Sequence, residues 1–226
     1  MKLAIVIPAY NEEQVISEVL EAVPERIQGI SRIEKIVVDD SSEDETGTVA
    51  RKAGAVVLRH IINRGLGGAL STGIEFAKRN DFDIAVTLDA DGQHDPSEIA
   101  KLIEPILSEQ SDFVVGSRLL EKGEMPLART LANRIGNVVT FLLFGVWTTD
   151  SQSGFRALSR KAIKSIELKS QRMEVSSEFF KEVKANKLRY SEVPIKSIYT
   201  AYSLAKGQKT SNAFSIYLKL LVQFFR

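Results

Sequence analysis

The 226-residue chain has no cysteine. That absence excludes a disulfide scaffold, a cysteine zinc site, an iron–sulfur ligand set and a thiol nucleophile. Nor is a staple needed, because a chain of this size buries roughly 70% of its unfolded surface on folding. Excess charge of one sign is missing too. Lys and Arg number 30 against 29 Asp and Glu, a net charge of +1, which argues against a strongly basic nucleic-acid binder. Met1 to Pro8 carry neither a cationic stretch nor a small-residue cleavage site, so no secretory leader is expected. No glycine-rich Gly-x-Gly-x-x-Gly follows the first apolar run, and no phosphate loop ends in Gly-Lys-Ser/Thr, which disfavours dehydrogenases and ATPases.

Long apolar runs are lacking as well. Ile135 to Trp147 is mostly apolar but well short of the roughly 20 residues that cross a bilayer, and it reads as a packed helix. In the C-terminal stretch 211–226, Ser211, Ser215, Lys219 and Gln223 recur every four positions and leave one thin polar stripe on an otherwise apolar helix. Such a helix docks on a core, lies in a membrane interface or meets a membrane partner. No fixed-period repeat, low-complexity tract or long linker divides the chain, so residues 1–226 are expected to form one domain.

What the sequence does contain is alternation. Leu3 to Ile7 is a short β-branched run stopped by Pro8, and Val15, Ile16, Val19, Leu20 and Val23 then follow at helical spacing. Strands are expected at Ile36–Val38, Ala55–Leu58, Ile84–Leu88 and Phe113–Val115, with helices at Glu45–Ala53, Gly67–Arg79 and Pro96–Leu107 between them. The pattern predicts a mostly parallel, Rossmann-like α/β sheet flanked by helices, with ligands beyond the carboxyl ends of the strands. The loops there are 8–12, 39–46, 63–68 and 89–94, three of which carry acids. Charge divides near residue 112: residues 1–112 hold 11 Lys/Arg and 21 Asp/Glu, residues 113–226 hold 19 and 8. The two halves are expected to meet different ligands.

Asp89-Ala90-Asp91, followed by Gly92 and Gln93, ends a buried strand. Acids alternating in a tight turn suit Mg²⁺ or Mn²⁺, which take one or two carboxylates and complete their shell with substrate phosphates and water. Of Asp39 and Asp40, one is expected to face ligand, while Asp40 or Ser42 could cap the helix near Glu45. The stretch Asn63-Arg64-Gly65-Leu66-Gly67-Gly68 leads into a helix N-terminus that favours anions.

In order and spacing, Val6-Ile7-Pro8-Ala9-Tyr10-Asn11-Glu12-Glu13, Val37-Val38-Asp39-Asp40-Ser41-Ser42, Asn63-Arg64-Gly65 and Leu88-Asp89-Ala90-Asp91-Gly92-Gln93 resemble the family-2 glycosyltransferases. Val115-Gly116-Ser117-Arg118, Asp150, Ser153-Gly154-Phe155-Arg156 and Glu192-Val193-Pro194-Ile195 resemble their polyprenyl-phosphate branch, which includes the dolichyl-phosphate mannose synthases. The resemblance implies a GT-A fold and an inverting, metal-dependent hexosyl transfer from a nucleoside-diphosphate sugar to a polyprenyl or dolichyl phosphate. It places Pro8, Tyr10, Glu12, Asp39 and Arg64 at the nucleotide. Asp89, Asp91 and Gln93 would hold the metal, and His94 is read as structural. Arg118, Arg129 and Lys206 would meet the acceptor phosphate in the 113–210 half, with Arg134 able to replace Arg129. A hydroxyl acceptor would instead need a base, for which Glu178 or Asp150 is the candidate. The branch implies work at the cytoplasmic face of a membrane, through peripheral contact or a small membrane protein. The stretch 199–208 departs from the mannose synthases and leaves the substrate open. A nucleotidyltransferase fits less well, because residues 8–13 hold two acids and no glycine.

Overall fold

In the computed structural model, residues 1–121 and 127–198 are described, the side chains at 127–129 and 132 excepted. The central strand β1 (Lys2–Ala9) shows how the core is built. Its side chains alternate: Leu3, Ile5 and Ile7 enter one hydrophobic cluster, Ala4 and Val6 the other. A strand buried on both faces reads as a continuous apolar run for this reason. After it come α1 (Ile16–Glu21), β2 (Arg32–Asp39), α2 (Thr46–Lys52), β3 (Val56–Arg59), α3 (Gly65–Arg79) and β4 (Ile84–Thr87). A 3-10 turn at Pro96–Glu98 leads into α4 (Ile99–Leu107), then β5 (Phe113–Ser117) and α5 (Leu127–Phe144). The described chain closes with β6 (Arg156–Ser159), α6 (Arg160–Ser165), α7 (Val175–Ala185) and β7 (Tyr190–Pro194).

The strands form one sheet in the order β3-β2-β1-β4-β6-β5-β7. Among the described strands only β6 runs against its neighbours, pairing antiparallel with both β4 and β5. Helices α1, α2 and α4 line one face, and α3, α6 and α7 the other. The two halves of opposite charge therefore share a single sheet, joined where β4 pairs with β6.

Pro8 does not stop the first strand as expected. The Ala9 carbonyl accepts from Asp40 N on the β2 side, so the proline nitrogen faces β4, whose pairing has already ended at Val6↔Thr87. A missing N–H costs nothing there. The segment expected as a packed helix over 135–147 is α5, which begins at Leu127 and ends at Phe144. It is not simply packed: Leu131, Ile135, Val138, Leu142 and Trp147 are all exposed.

Candidate active site

β2 and β3 lie to one side of β1, whereas β4 lies to the other. That reversal of strand order opens a crevice at the carboxyl edge, bounded by the loops after β1, β2 and β4. Because β6 is antiparallel, its first residue, Arg156, sits opposite Thr87 at the same edge. β5 is parallel to β4 and delivers Arg118 there too. Acids of the first half and cations of the second thus converge.

Asp89 is held by His94, whose Nε2 lies 3.2 Å from Asp89 Oδ2. The imidazole is 2% exposed and stacked on Phe155, ring centres 5.3 Å apart. A Cβ at Gly154 would run into the Asp89 carboxylate, so only glycine lets the segment before β6 pass this close to the acid turn. Burial pushes the Asp89 pKa up, but the His94 hydrogen bond and the charges of His94, Arg156 and Arg118 bring it below the usual carboxylate value. Asp91 goes the other way. Burial, then the Asp89 charge, with Glu12 adding to it, push Asp91 up to about 6. Gln93 donates to Asp91 twice, from its main-chain N at 3.0 Å and its side-chain Nε2 at 2.8 Å. The amide therefore orients Asp91, and its carbonyl oxygen is the atom that could face a cation.

Burial and the Asp89 charge raise Asp91, while His94 and the two arginines lower Asp89, so the two acids are set apart in pKa. No group of three or more His, Cys, Asp or Glu among the described residues could hold a metal by itself. The chain offers two carboxylates and an amide oxygen, and an all-oxygen set of that size fits a hard divalent ion that keeps water and phosphate ligands.

The loop after β1 is stitched to the loop after β2. Asn11 N donates to Ser42 Oγ (3.0 Å), Glu43 N to Asn11 Oδ1 (2.8 Å) and Glu12 N to Thr46 Oγ1 (2.7 Å). Glu12 sits buried within this seam, Pro8 precedes it in β1 opposite Val38, and Tyr10 is 41% exposed. Asp39 is fully buried, with Oδ1 accepting from Ser42 N (2.9 Å) and Oδ2 lying 3.2 Å from Arg59 Nη1. Asp40 is a helix cap, though not of the expected helix. Its carboxylate accepts from Arg64 N (2.8 Å) and Gly65 N (2.7 Å) at the start of α3, and His60 Nδ1 is 2.7 Å away. Capping fixes the Asn63-Arg64-Gly65 turn and leaves the Arg64 side chain exposed.

On the other side of the crevice, Arg118 is gripped by buried Asp150. Nε donates to Oδ2 (2.7 Å), Nη2 to Oδ1 (2.8 Å) and the main-chain N to Oδ2 (3.0 Å). Asp150 is itself placed by a turn that Glu192 clamps, accepting from Thr148 Oγ1 (2.7 Å), Thr149 N (2.8 Å) and Thr149 Oγ1 (2.9 Å). Planar, two-pronged binding fixes the guanidinium plane.

The glycosyl transferase family 2 model matches residues 4–167. The chain belongs to that family. This glycosyltransferase is 40% identical to the UDP-N-acetylglucosamine–dolichyl-phosphate N-acetylglucosaminyltransferase of Methanococcus voltae, over 96% of this chain and 94% of the relative. It is 32% identical to a dolichol-phosphate mannosyltransferase of Pyrococcus furiosus, over 74% of this chain and 49% of that longer protein. In fold it is similar to glucosyl-3-phosphoglycerate synthase of Mycobacterium tuberculosis, with a TM-score of 0.72, 20% identity and coverage of 97% and 79%. The architecture is GT-A-like.

Of the remaining expected site residues, Glu178 and Arg134 lie among the described ones. Both oxygens of Glu178 accept main-chain N–H bonds, from Lys169 (3.0 Å) and Ser170 (2.9 Å). These bonds hold the loop at 169–170, and that loop presses on Gly67 of α3. Arg134 is exposed on α5, while the Arg129 side chain and Lys206 lie outside the described residues. The chain nonetheless returns to the acid turn before Lys206, since Ile198 N donates to the Gln93 carbonyl (2.9 Å). Arg156 was not singled out as a site residue by sequence reasoning. It is 1% exposed, its guanidinium 4.6 Å above the Phe179 ring, and its Nη2 donates to the Ser151 carbonyl (3.2 Å). Burial pulls its pKa down to about 10 against the opposing charges of Asp89 and Asp150. The available signal was an arginine opening an otherwise apolar strand.

Proposed function

We propose that this glycosyltransferase moves a sugar, with inversion, from a nucleoside diphosphate to a polyprenyl or dolichyl phosphate at the cytoplasmic face of a membrane. UDP-N-acetylglucosamine is the donor favoured by the Methanococcus relative, and GDP-mannose or UDP-glucose is the alternative class. The observation that carries the reading is the convergence, on one sheet edge, of the Asp89–Asp91 pair with an Arg118 held flat by Asp150.

Asp89, Asp91 and Gln93 would hold Mg²⁺ or Mn²⁺, ions present with uridine diphosphate in the mycobacterial neighbours. Bound there, such an ion offsets charge on the leaving diphosphate. The protein's own part is orientation. His94 and Gly154 fix Asp89, Gln93 fixes Asp91, and the seam between the first two loops shapes the nucleotide pocket around Pro8, Tyr10, Glu12, Asp39 and Arg64. Arg118 grips the acceptor phosphate, with Arg129 or Arg134 and Lys206 as further cations. A phosphate oxygen attacks the anomeric carbon as the bond to the diphosphate breaks, with the nucleoside diphosphate as product. The nucleophile is already anionic, so no general base is required. Engagement of both Glu178 oxygens by main-chain donors supports that choice over a hydroxyl acceptor.

Calorimetry with UDP-N-acetylglucosamine, GDP-mannose and UDP-glucose, with Mn²⁺ or chelator, followed by transfer to a short-chain polyprenyl phosphate, tests the proposal. Metal-dependent binding of one donor and glycosylation of the lipid phosphate are expected. Transfer to sugar hydroxyls alone, or turnover indifferent to chelator, would overturn it.

A further inference from the structure

Helix α5 is built inside out. Its inward side is polar: Asn133 Nδ2 is 3.4 Å from Asp150 Oδ1, Asn137 Nδ2 donates to the Thr149 carbonyl (2.5 Å), and Asn137 Oδ1 accepts from Ser151 N (2.8 Å). Thr140, fully buried on the same side, lies 3.4 Å from Ser177 Oγ. The outward side is apolar. Leu131, Ile135, Val138 and Leu142 recur at four-, three- and four-residue intervals, which places them on one stripe. Leu131 is 62% and Leu142 73% exposed. Phe141 flanks the stripe and meets Trp147, 60% exposed, edge to face at 5.6 Å. A helix at a water-facing surface shows the reverse arrangement.

The asparagines make this orientation obligatory. Rolling α5 by half a turn would turn its leucines inward but strip the Thr149 carbonyl and Ser151 N of their Asn137 partner. The stripe is thus the outward face by construction, and a contiguous exposed patch of this kind marks a contact surface. Charge selects the occupant. Arg134, exposed beside the stripe, is a cation, α5 has no acid, and this half of the chain holds 19 Lys/Arg against 8 Asp/Glu. Two such faces from two copies would repel each other, whereas an anionic lipid surface attracts them. Tryptophan and phenylalanine among aliphatic side chains suit the boundary between headgroups and acyl chains. No helix among the described residues is long and apolar enough to cross a membrane, so the contact is lateral.

We propose that the Leu131–Ile135–Val138–Leu142 stripe, with Phe141 and Trp147, is the surface on which the protein lies against an anionic bilayer. The inference rests on the lipid-phosphate reading and extends it. Because the inward side of the same helix contacts Asp150, and Asp150 holds Arg118, seating α5 on the bilayer sets the height of Arg118 above the lipid phosphates.

The test is sedimentation of the full chain with vesicles of phosphatidylcholine alone or mixed with phosphatidylglycerol, beside the double variant Ile135→Gln/Leu142→Gln. Wild type should bind the anionic vesicles, less so in high salt, and the variant about tenfold or more weakly, since two side chains lose their apolar burial. Thermal stability and transfer to a short-chain, water-soluble prenyl phosphate should be unchanged. Equal binding by both proteins, or no binding by wild type, overturns the proposal. So does a wild-type dimer that the variant splits, which would make the occupant a second copy. A clearly lower melting temperature for the variant also overturns it, since another part of this chain would then cover the stripe. Vesicle binding as expected with no glycosylated prenyl phosphate would leave the surface standing and remove the acceptor reading.

Discussion

Asp91 carries the cost of the site. Its pKa is raised to about 6 by burial and by the neighbouring Asp89, whereas in the unfolded chain it ionises near 3.8. An acid whose folded pKa is raised destabilises the fold once pH exceeds the unfolded value, fully so above about 6, and not at all in strong acid. Asp91→Asn should therefore stabilise the chelator-treated protein at pH 8 by about 1 kcal/mol, the gain being trimmed because one Gln93 donor loses its oxygen. The gain should vanish near pH 3.5 in thermal melts, and transfer activity should be lost at every pH. A variant less stable than wild type at pH 8 would show that the acid pair is not strained. Asp150→Asn tests the opposite bank. Losing a charged, two-pronged hold on Arg118 should raise the acceptor KM about tenfold or more with the donor KM unchanged. An equal rise in both would indicate general distortion instead.

At the level of elements, α5 is fixed by side chains that a hydrophobic pattern does not weigh. Asn137 bridges the Thr149 carbonyl and Ser151 N, and it is 5% exposed. Asn137→Leu should cost about 2–4 kcal/mol in denaturant titration, because two buried main-chain groups are left unpaired, even though the substitution makes the helix more apolar. A neutral effect would mean that the helix can roll. The apolar run over 135–147 reads as a packed helix; the helix is there as Leu127–Phe144, but much of its apolar surface is exposed, since an apolar run does not record the direction in which its side chains point. Pro8 teaches a similar lesson. Its place in β1 depends on β4 ending early, which no local signal in residues 3–9 records.

For the whole molecule, the divide in charge near residue 112 is not a divide in structure. Asp112 enters β5 and accepts from Arg189 at Nη2 (2.9 Å), Nε (3.1 Å) and main-chain N (2.9 Å), with Lys161 Nζ at 3.4 Å. Chiefly through the Arg189 hydrogen bonds, its pKa falls to about 2. A depressed carboxylate contributes stability above the unfolded pKa and loses it as pH falls through the folded one. Asp112→Asn should thus destabilise by about 1 kcal/mol at neutral pH, a modest figure because Arg189 is half exposed and screened. The difference should close between pH 4 and pH 2, and a constant difference across that range would assign the effect to packing.

The sequence by itself determined the alternation of strands and helices, the mostly parallel sheet and the acid turn at Asp89–Asp91, because apolar periodicity and acids at strand ends are local properties. It also carried the family, through motifs whose order survives in one dimension. Only the tertiary structure decided which acid does what. Asp40 caps α3, Glu178 holds a loop, and Arg156, buried beneath the site, enters it because β6 runs backwards between β4 and β5. These assignments depend on which distant strands lie side by side, and a hydrogen bond or a buried charge acts through space rather than along the chain.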